Sequence, residues 1–240
     1  VTPILINAKI KIIRVQDDEF VQKRLGIPLS QCPFLSFGTD TTVFYKNDVI
    51  KKENKKLLNI REDAFVFLYA GKINESKGGM ILAESLFKKI HSKKPITFVV
   101  LANAKNDYEK KVIEKLRNSE NEVLVLDTVP YSSLWFYYQM TDVAIFPKQC
   151  SLSFYDLQAC GVPVILENNN INRDRLKFEN GFIYDGTVIG LRNVIKQVIE
   201  LDSIESYSSN AVRFIQNEYD YRKISLQYDA IFKNLLIKNN

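Results

Sequence analysis

Short runs of apolar residues, several of them apolar at every position, alternate along this chain with longer stretches of helical spacing, and that alternation constrains its fold most. The runs cover residues 11–15, 34–37, 65–70, 97–101, 123–126, 143–146 and 163–166. A strand with one wet face alternates apolar with polar residues, whereas a wholly apolar run reads as a strand covered on both faces. Helical patterns occupy 80–90, 108–118, 132–140, 154–160 and 191–201. In the first of these, Ile81, Leu82, Leu86, Phe87 and Ile90 recur along one face. Such alternation builds right-handed βαβ units. The expected fold class is therefore α/β, a doubly wound parallel sheet with helices on both faces.

The flanks depart from this pattern. Residues 1–33 hold the run 11–15 and a helical stretch, 18–25, stopped by Gly26-Ile27-Pro28. The Lys- and Asn-rich stretch 39–58 reads as an exposed connection. Residues 219–237 read as a closing helix with Tyr221, Ile224, Tyr228, Ile231 and Leu235 along one face. With no initiator Met, the chain is expected to be a processed or trimmed piece of a longer protein.

Composition removes several function classes. No apolar run approaches the roughly 20 residues that cross a bilayer, and the start has no secretory pattern. Three cysteines, Cys32, Cys150 and Cys160, are too few and scattered for a disulfide framework or zinc site, which points to a reducing, cytoplasmic setting. The single histidine, His91, sits among lysines and reads as a solvated surface residue, so His-based triads and multi-His metal sites are excluded by count. Net charge is +5, with lysines grouped at 51, 52, 55 and 56 and at 88, 89, 93 and 94. Charged helix faces explain these groups; attraction to phosphorylated substrates, or peripheral association with an anionic membrane face, is the functional alternative. No arginine stripe or motif supports nucleic-acid binding.

In an open parallel sheet, ligands bind beyond the carboxyl ends of the strands. Three such loops carry suggestive chemistry. Gly71-Lys72-Ile73-Asn74-Glu75-Ser76-Lys77-Gly78-Gly79 follows the run 65–70, and two lysines five residues apart can reach one anion near a helix start; the alternative is a plain loop with exposed lysines. It matches neither the Walker loop nor G-x-G-x-x-G, which disfavours a dehydrogenase. Pro147-Lys148-Gln149-Cys150-Ser151-Leu152-Ser153 precedes a helix near Phe154, with Ser153 as N-cap and backbone amides suited to phosphate; simple capping is the alternative. Thr128-Val129-Pro130 offers backbone to a flat base. A reactive role for Cys150 lacks a histidine base. No Asp-x-Asp pair is present to clamp a metal.

Order and spacing together resemble the C-terminal domain of the large retaining glycosyltransferase family with the two-domain GT-B architecture. Phe37-Gly38-Thr39-Asp40-Thr41-Thr42-Val43-Phe44 resembles that family's Asn-Gly-Val-Asp-x-x-x-Phe linker entry. Gly71-Lys72 with Lys77-Gly78 resembles its Gly-Arg-Leu…Glu-Lys-Gly loop, and Tyr137-Tyr138…Thr141-Asp142-Val143…Phe146-Pro147 its Tyr-x-x-x-Asp-Val…Pro-Ser segment. Gln158-Ala159-Cys160-Gly161-Val162-Pro163-Val164-Ile165 is similar to Glu-Ala-Met-Ala-x-Gly-x-Pro-Val-Ile, and Asn180-Gly181-Phe182 to an Asn-Gly-Leu turn. The likeness runs from about residue 35 to the end.

The resemblance implies a Rossmann-like donor domain over 34–218, preceded by the tail of an acceptor domain and linker over 1–33. The closing helix, 219–240, would cross back to the missing acceptor domain. Lys72 and Lys77 would hold the donor diphosphate and neutralise the charge growing on the leaving group. Gly71, Val129, the backbone of Cys150, Ser151, Leu152, Ser153 and Phe154, and the side chain of Gln158 would complete the donor site, Gln158 on the ribose. No cofactor and no metal are expected. The implied reaction is retaining transfer of a sugar from a UDP-, GDP- or ADP-linked donor to a glycan or lipid-linked acceptor in cell-surface polysaccharide synthesis, at the inner membrane face or in the cytoplasm. This piece alone is expected to be inactive. Three departures stand out: Lys72 replaces the family's arginine, and Cys150 and Gln158 stand where it has two glutamates. A degenerate nucleotide-binding or scaffold module is thus the second reading; a nucleotide-sugar epimerase would need acids and a histidine not seen here.

Overall fold

The computed structural model describes residues 2–15 and 20–237; Asp18 and the Leu235 side chain, both read above as helical, lie outside the described residues. Six strands form one parallel sheet: β1 (Phe65–Ala70), β2 (Ile96–Leu101), β3 (Glu122–Leu126), β4 (Val143–Phe146), β5 (Val164–Glu167) and β6 (Gly181–Tyr184). Their spatial order is β3-β2-β1-β4-β5-β6. The chain winds outward from β1 in one direction, then returns to lay β4 on its other side. That reversal places a crevice between the carboxyl ends of β1 and β4.

Eleven α-helices occur among the described residues. α4 (Gly79–Ser85), α5 (Asp107–Arg117) and α9 (Val188–Glu200) cover one face. α3 (Asp48–Leu57), α6 (Tyr131–Met140), α7 (Ser153–Ala159) and α10 (Glu205–Phe214) cover the other. β1 shows why its run is apolar throughout: Val66 and Leu68 enter one core while Phe67 and Tyr69 enter the other. α1 (Thr2–Asn7), α2 (Phe20–Leu25), α8 (Asn170–Arg175) and α11 (Tyr221–Ile237) complete the helices.

Several expectations need correction. The stretch 39–58 is no simple exposed connection, because α3 occupies its second half, capped by Asn47 on the amides of Val49 and Ile50. The runs 11–15 and 34–37 do not join the sheet; they meet each other in a single parallel bridge, Arg14 to Phe34. The helix expected over 80–90 stops at Ser85, where Arg192 from α9 donates to the carbonyls of Ser85, Lys88 and Lys89 and satisfies the chain end. Leu86 and Ile90 stay buried, so the apolar spacing outlasts the helix. Asn180-Gly181-Phe182, read as a turn, leads into β6.

Candidate functional site

The loops after β1 and β4 are stitched together across the crevice. Lys77 donates from Nζ to the carbonyl of Gln149 at 3.1 Å. Gly78 adopts φ +74°, and a Cβ there would stand 2.9 Å from Cβ of Pro147, so only glycine lets the two loops approach this closely. Gly79 is equally confined, with its missing Cβ 2.0 Å from the Ile73 carbonyl oxygen. Asn74 accepts from the Lys77 amide at 3.1 Å and from the Ser76 hydroxyl at 3.0 Å, which fixes the turn that carries Lys77. From below, the Tyr69 hydroxyl donates to the carbonyl of Lys72, and the Tyr184 hydroxyl donates to that of Pro147. Burial pushes both phenols up, so they remain donors at any physiological pH. Gly71 and Lys72 are exposed and Lys77 is half-buried, and neither lysine has an ion pair among the described residues.

The loop before α7 is less open than expected. Ser153 is the first helical residue, not the cap; Leu152 holds the cap position without a side-chain bond, and the Ser153 hydroxyl meets that of Ser151. The amide of Phe154 already donates to the Ser151 carbonyl at 3.1 Å, which removes it from the expected phosphate cradle. Leu152 is exposed, and Cys150 is half-buried with its thiol directed to the Ser151 carbonyl at 3.6 Å. Burial pushes the Cys150 thiol up to about 11 against the pull of Arg175 and Lys77, so it stays neutral and unreactive at pH 7. Beyond β3, Asn103 accepts from the Thr128 amide at 2.9 Å and holds the loop carrying half-buried Val129.

Gln158 requires the largest correction. It is fully buried, donating to the carbonyls of Val162 and Asn180 at 3.0 Å each and accepting from Nδ2 of Asn180 at 2.6 Å. Every polar atom of its side chain is engaged inside the protein. The carboxylate two residues earlier has partners elsewhere: Asp156 accepts from Thr39 Oγ1 at 2.5 Å and from Tyr131 Oη at 3.1 Å. It thereby ties α7 both to the segment before α3 and to the base of the loop carrying Val129.

Comparison with known proteins decides the family. Residues 50–220 match the family described as glycosyl transferases group 1. The chain belongs to that family. Among curated relatives, the lipopolysaccharide 1,2-N-acetylglucosaminetransferase of Salmonella typhimurium is 29% identical over 108 residues, 42% of this chain and 28% of that protein. The putative glycosyltransferase YtcC of Bacillus subtilis is 20% identical over 81% of this chain and 51% of its own length. The chain thus spans about half or less of the curated relatives it matches. Among solved structures, HepE (Alr3699) of Anabaena, solved in complex with UDP, superposes with a TM-score of 0.82 at 17% identity, over 97% of this chain and 67% of that one.

In this group 1 glycosyl transferase domain, Asp156 is a buried carboxylate that the sequence reading above does not name. Its signal was present: it is the single charged residue between Lys148 and Glu167. Burial raises its pKa against the two hydroxyls that favour ionisation. A wider cleft of about 670 Å³ lies between α5 and β3, lined by Lys110, Glu114 and Arg117, and contains none of the residues named from the sequence. No helix among the described residues is long and apolar enough to cross a membrane.

Proposed function

We propose that this chain is the donor-binding half of a two-domain enzyme that transfers a sugar, with retention, from a nucleoside-diphosphate sugar to a glycan or lipid-linked acceptor in cell-surface polysaccharide synthesis. The observation that carries the reading is the pair Lys72 and Lys77 at the switch between β1 and β4, without an ion pair among the described residues, with Lys77 bonded across to the facing loop. Two cations there neutralise a diphosphate leaving group without a metal. The base lies against the Val129 loop, and the diphosphate meets the amides of Ser151 to Ser153. Residues 34–218 form the donor domain, and 1–33 and 219–240 belong to its junction with the acceptor domain, which is supplied by the remaining length of the protein. The exposed aromatics Phe37 and Tyr221, on a cleft of about 470 Å³ with Gly38, Ile224 and Tyr228, support that junction.

Calorimetric titration with UDP, GDP and ADP tests the reading on the chain itself, with Lys72→Ala and Lys77→Ala as controls. Each lysine makes charge-assisted contacts of about 1.5–3 kcal/mol, so each variant is expected to weaken the diphosphate that binds by about tenfold or more. No binding of any of the three rejects a preformed donor site. A nucleotide-binding module without turnover is the second reading. It is favoured by the absence of a free carboxylate in the β4–α7 loop, where Lys148, Gln149 and Cys150 stand. Donor hydrolysis by the longer protein separates the two.

A further inference from the structure

A second cleft, of about 510 Å³, opens from the same crevice on its β5 side. It is lined by Ser76 from the β1 loop, Lys148 and Cys150 from the β4 loop, and Asn169 and Arg175 from the segment after β5. Ser76 and Lys148 belong to the two loops that the Lys77–Gln149 hydrogen bond joins, so cleft and crevice share a wall.

Two cations and one carboxylate line this cleft, and neither cation has an ion pair among the described residues. Arg175 is half-buried, lies over the Phe154 ring at 5.6 Å and donates to Oδ1 of Asn172 at 3.2 Å, with no carboxylate partner among the described residues. Its neighbour Asp174 is occupied with Lys177 at 3.0 Å. Lys148 has no ion pair either among the described residues. The one carboxylate in the lining, Glu167, is turned toward Gly186, with Oε1 2.8 Å from the place a Cβ would take there. A guanidinium held over a ring, in one cleft with a lysine, matches a carboxylate or phosphate.

Direction along the sheet gives this charge a meaning. On the donor-site reading, the base lies at the end of β3 and the diphosphate between β1 and β4, so an extended donor continues past β4 toward β5, the next strand in the sheet. We propose that the sugar of the donor carries an anionic group, a carboxylate or phosphate, and that Arg175 and Lys148 hold it. This rests on the donor-site reading above and goes beyond it to the substrate class.

The test compares the glucose and glucuronate esters of whichever diphosphate binds, by calorimetry on the whole chain, with the bare diphosphate as reference. The expected result is tighter binding of the glucuronate ester by about tenfold, a difference of about 1.4 kcal/mol. Arg175→Gln should bring the two esters to parity and leave the bare diphosphate unchanged, and Arg175→Lys should restore most of the preference. Because Arg175 also packs on Phe154, Lys148→Gln provides a second reading of the preference that leaves that stacking intact. Equal affinity for the two esters, or a preference that survives both glutamine variants, overturns the anionic-sugar assignment and leaves the donor site standing. Inorganic phosphate that binds alongside the esters without displacing the glucuronate ester marks a free-anion site and also overturns it. No binding of any nucleotide overturns both readings together.

Discussion

Asp156 shows how one buried carboxylate sets a local pH response. It is 5% exposed and accepts from Thr39, itself fully buried, and from Tyr131. Burial raises its pKa above the ordinary 3.8, so the folded state holds the proton more tightly than the unfolded chain. The associated stability is complete below the ordinary value and is lost as pH rises from about 4 through the raised value. Asp156→Asn keeps the shape and removes the titration. Urea midpoints from about pH 4 to about pH 7 should therefore fall for the parent relative to Asp156→Asn, and parallel curves would mean that burial does not govern this group. Asp156→Ala strands the Thr39 hydroxyl inside the protein and should cost about 1–3 kcal/mol at about pH 4, and less as the pH rises.

At the scale of elements, α3 was hidden in the sequence because its inner face is polar. Its apolar residues Val49 and Leu57 point outward, while Asn54 and Lys55 point in. Asn54 donates to the Phe136 carbonyl at 2.8 Å and Lys55 to the Ala64 carbonyl at 2.8 Å, so no apolar stripe of helical period exists to be read. Asp142 anchors this helix to the sheet: it accepts from Lys51 at 2.7 Å and from the Val66 amide at 2.8 Å, with Lys55 at 3.8 Å. Asp142→Asn removes the nearest countercharge of the buried Lys55 ammonium and should cost about 3–5 kcal/mol, read as a drop in urea midpoint; a change under about 1 kcal/mol would show that the lysines find other partners. β1 and β4 were legible to the residue because each is apolar on both faces. β6 was not, since Asn180 and Gly181 carry a turn signature; yet a Cβ at Gly181 would lie 2.4 Å from the Val164 carbonyl, and the glycine is there for strand packing. Within α7 every residue from Phe154 to Ala159 is buried. Periodicity therefore could not separate the surroundings of Asp156 from those of Gln158.

For the whole molecule, the two loops of the crevice belong to the two halves of the sheet, one wound outward through β2 and β3, the other through β5 and β6. A diphosphate held by both loops draws its affinity from both halves, and neither can unfold without releasing it. Binding should therefore appear as global stabilisation. At a diphosphate concentration 100 times its dissociation constant the gain is about 2.7 kcal/mol. A chain of this size shifts its melting temperature by about 2–4 °C per kcal/mol, so the expected rise is about 5–11 °C in a thermal melt monitored by circular dichroism. Lys77→Ala loses the bridge to Gln149 as well as a cation, and at the same ligand concentration its rise should shrink to about half or less. A nucleotide that binds by calorimetry without moving the melt would have to contact unfolded and folded chains alike, or sit on an edge element, such as the cleft between α5 and β3, whose local unfolding precedes the global melt. The same comparison in the Lys110→Ala variant separates those cases: a crevice ligand leaves its shift unchanged, and a ligand in the outer cleft loses affinity there.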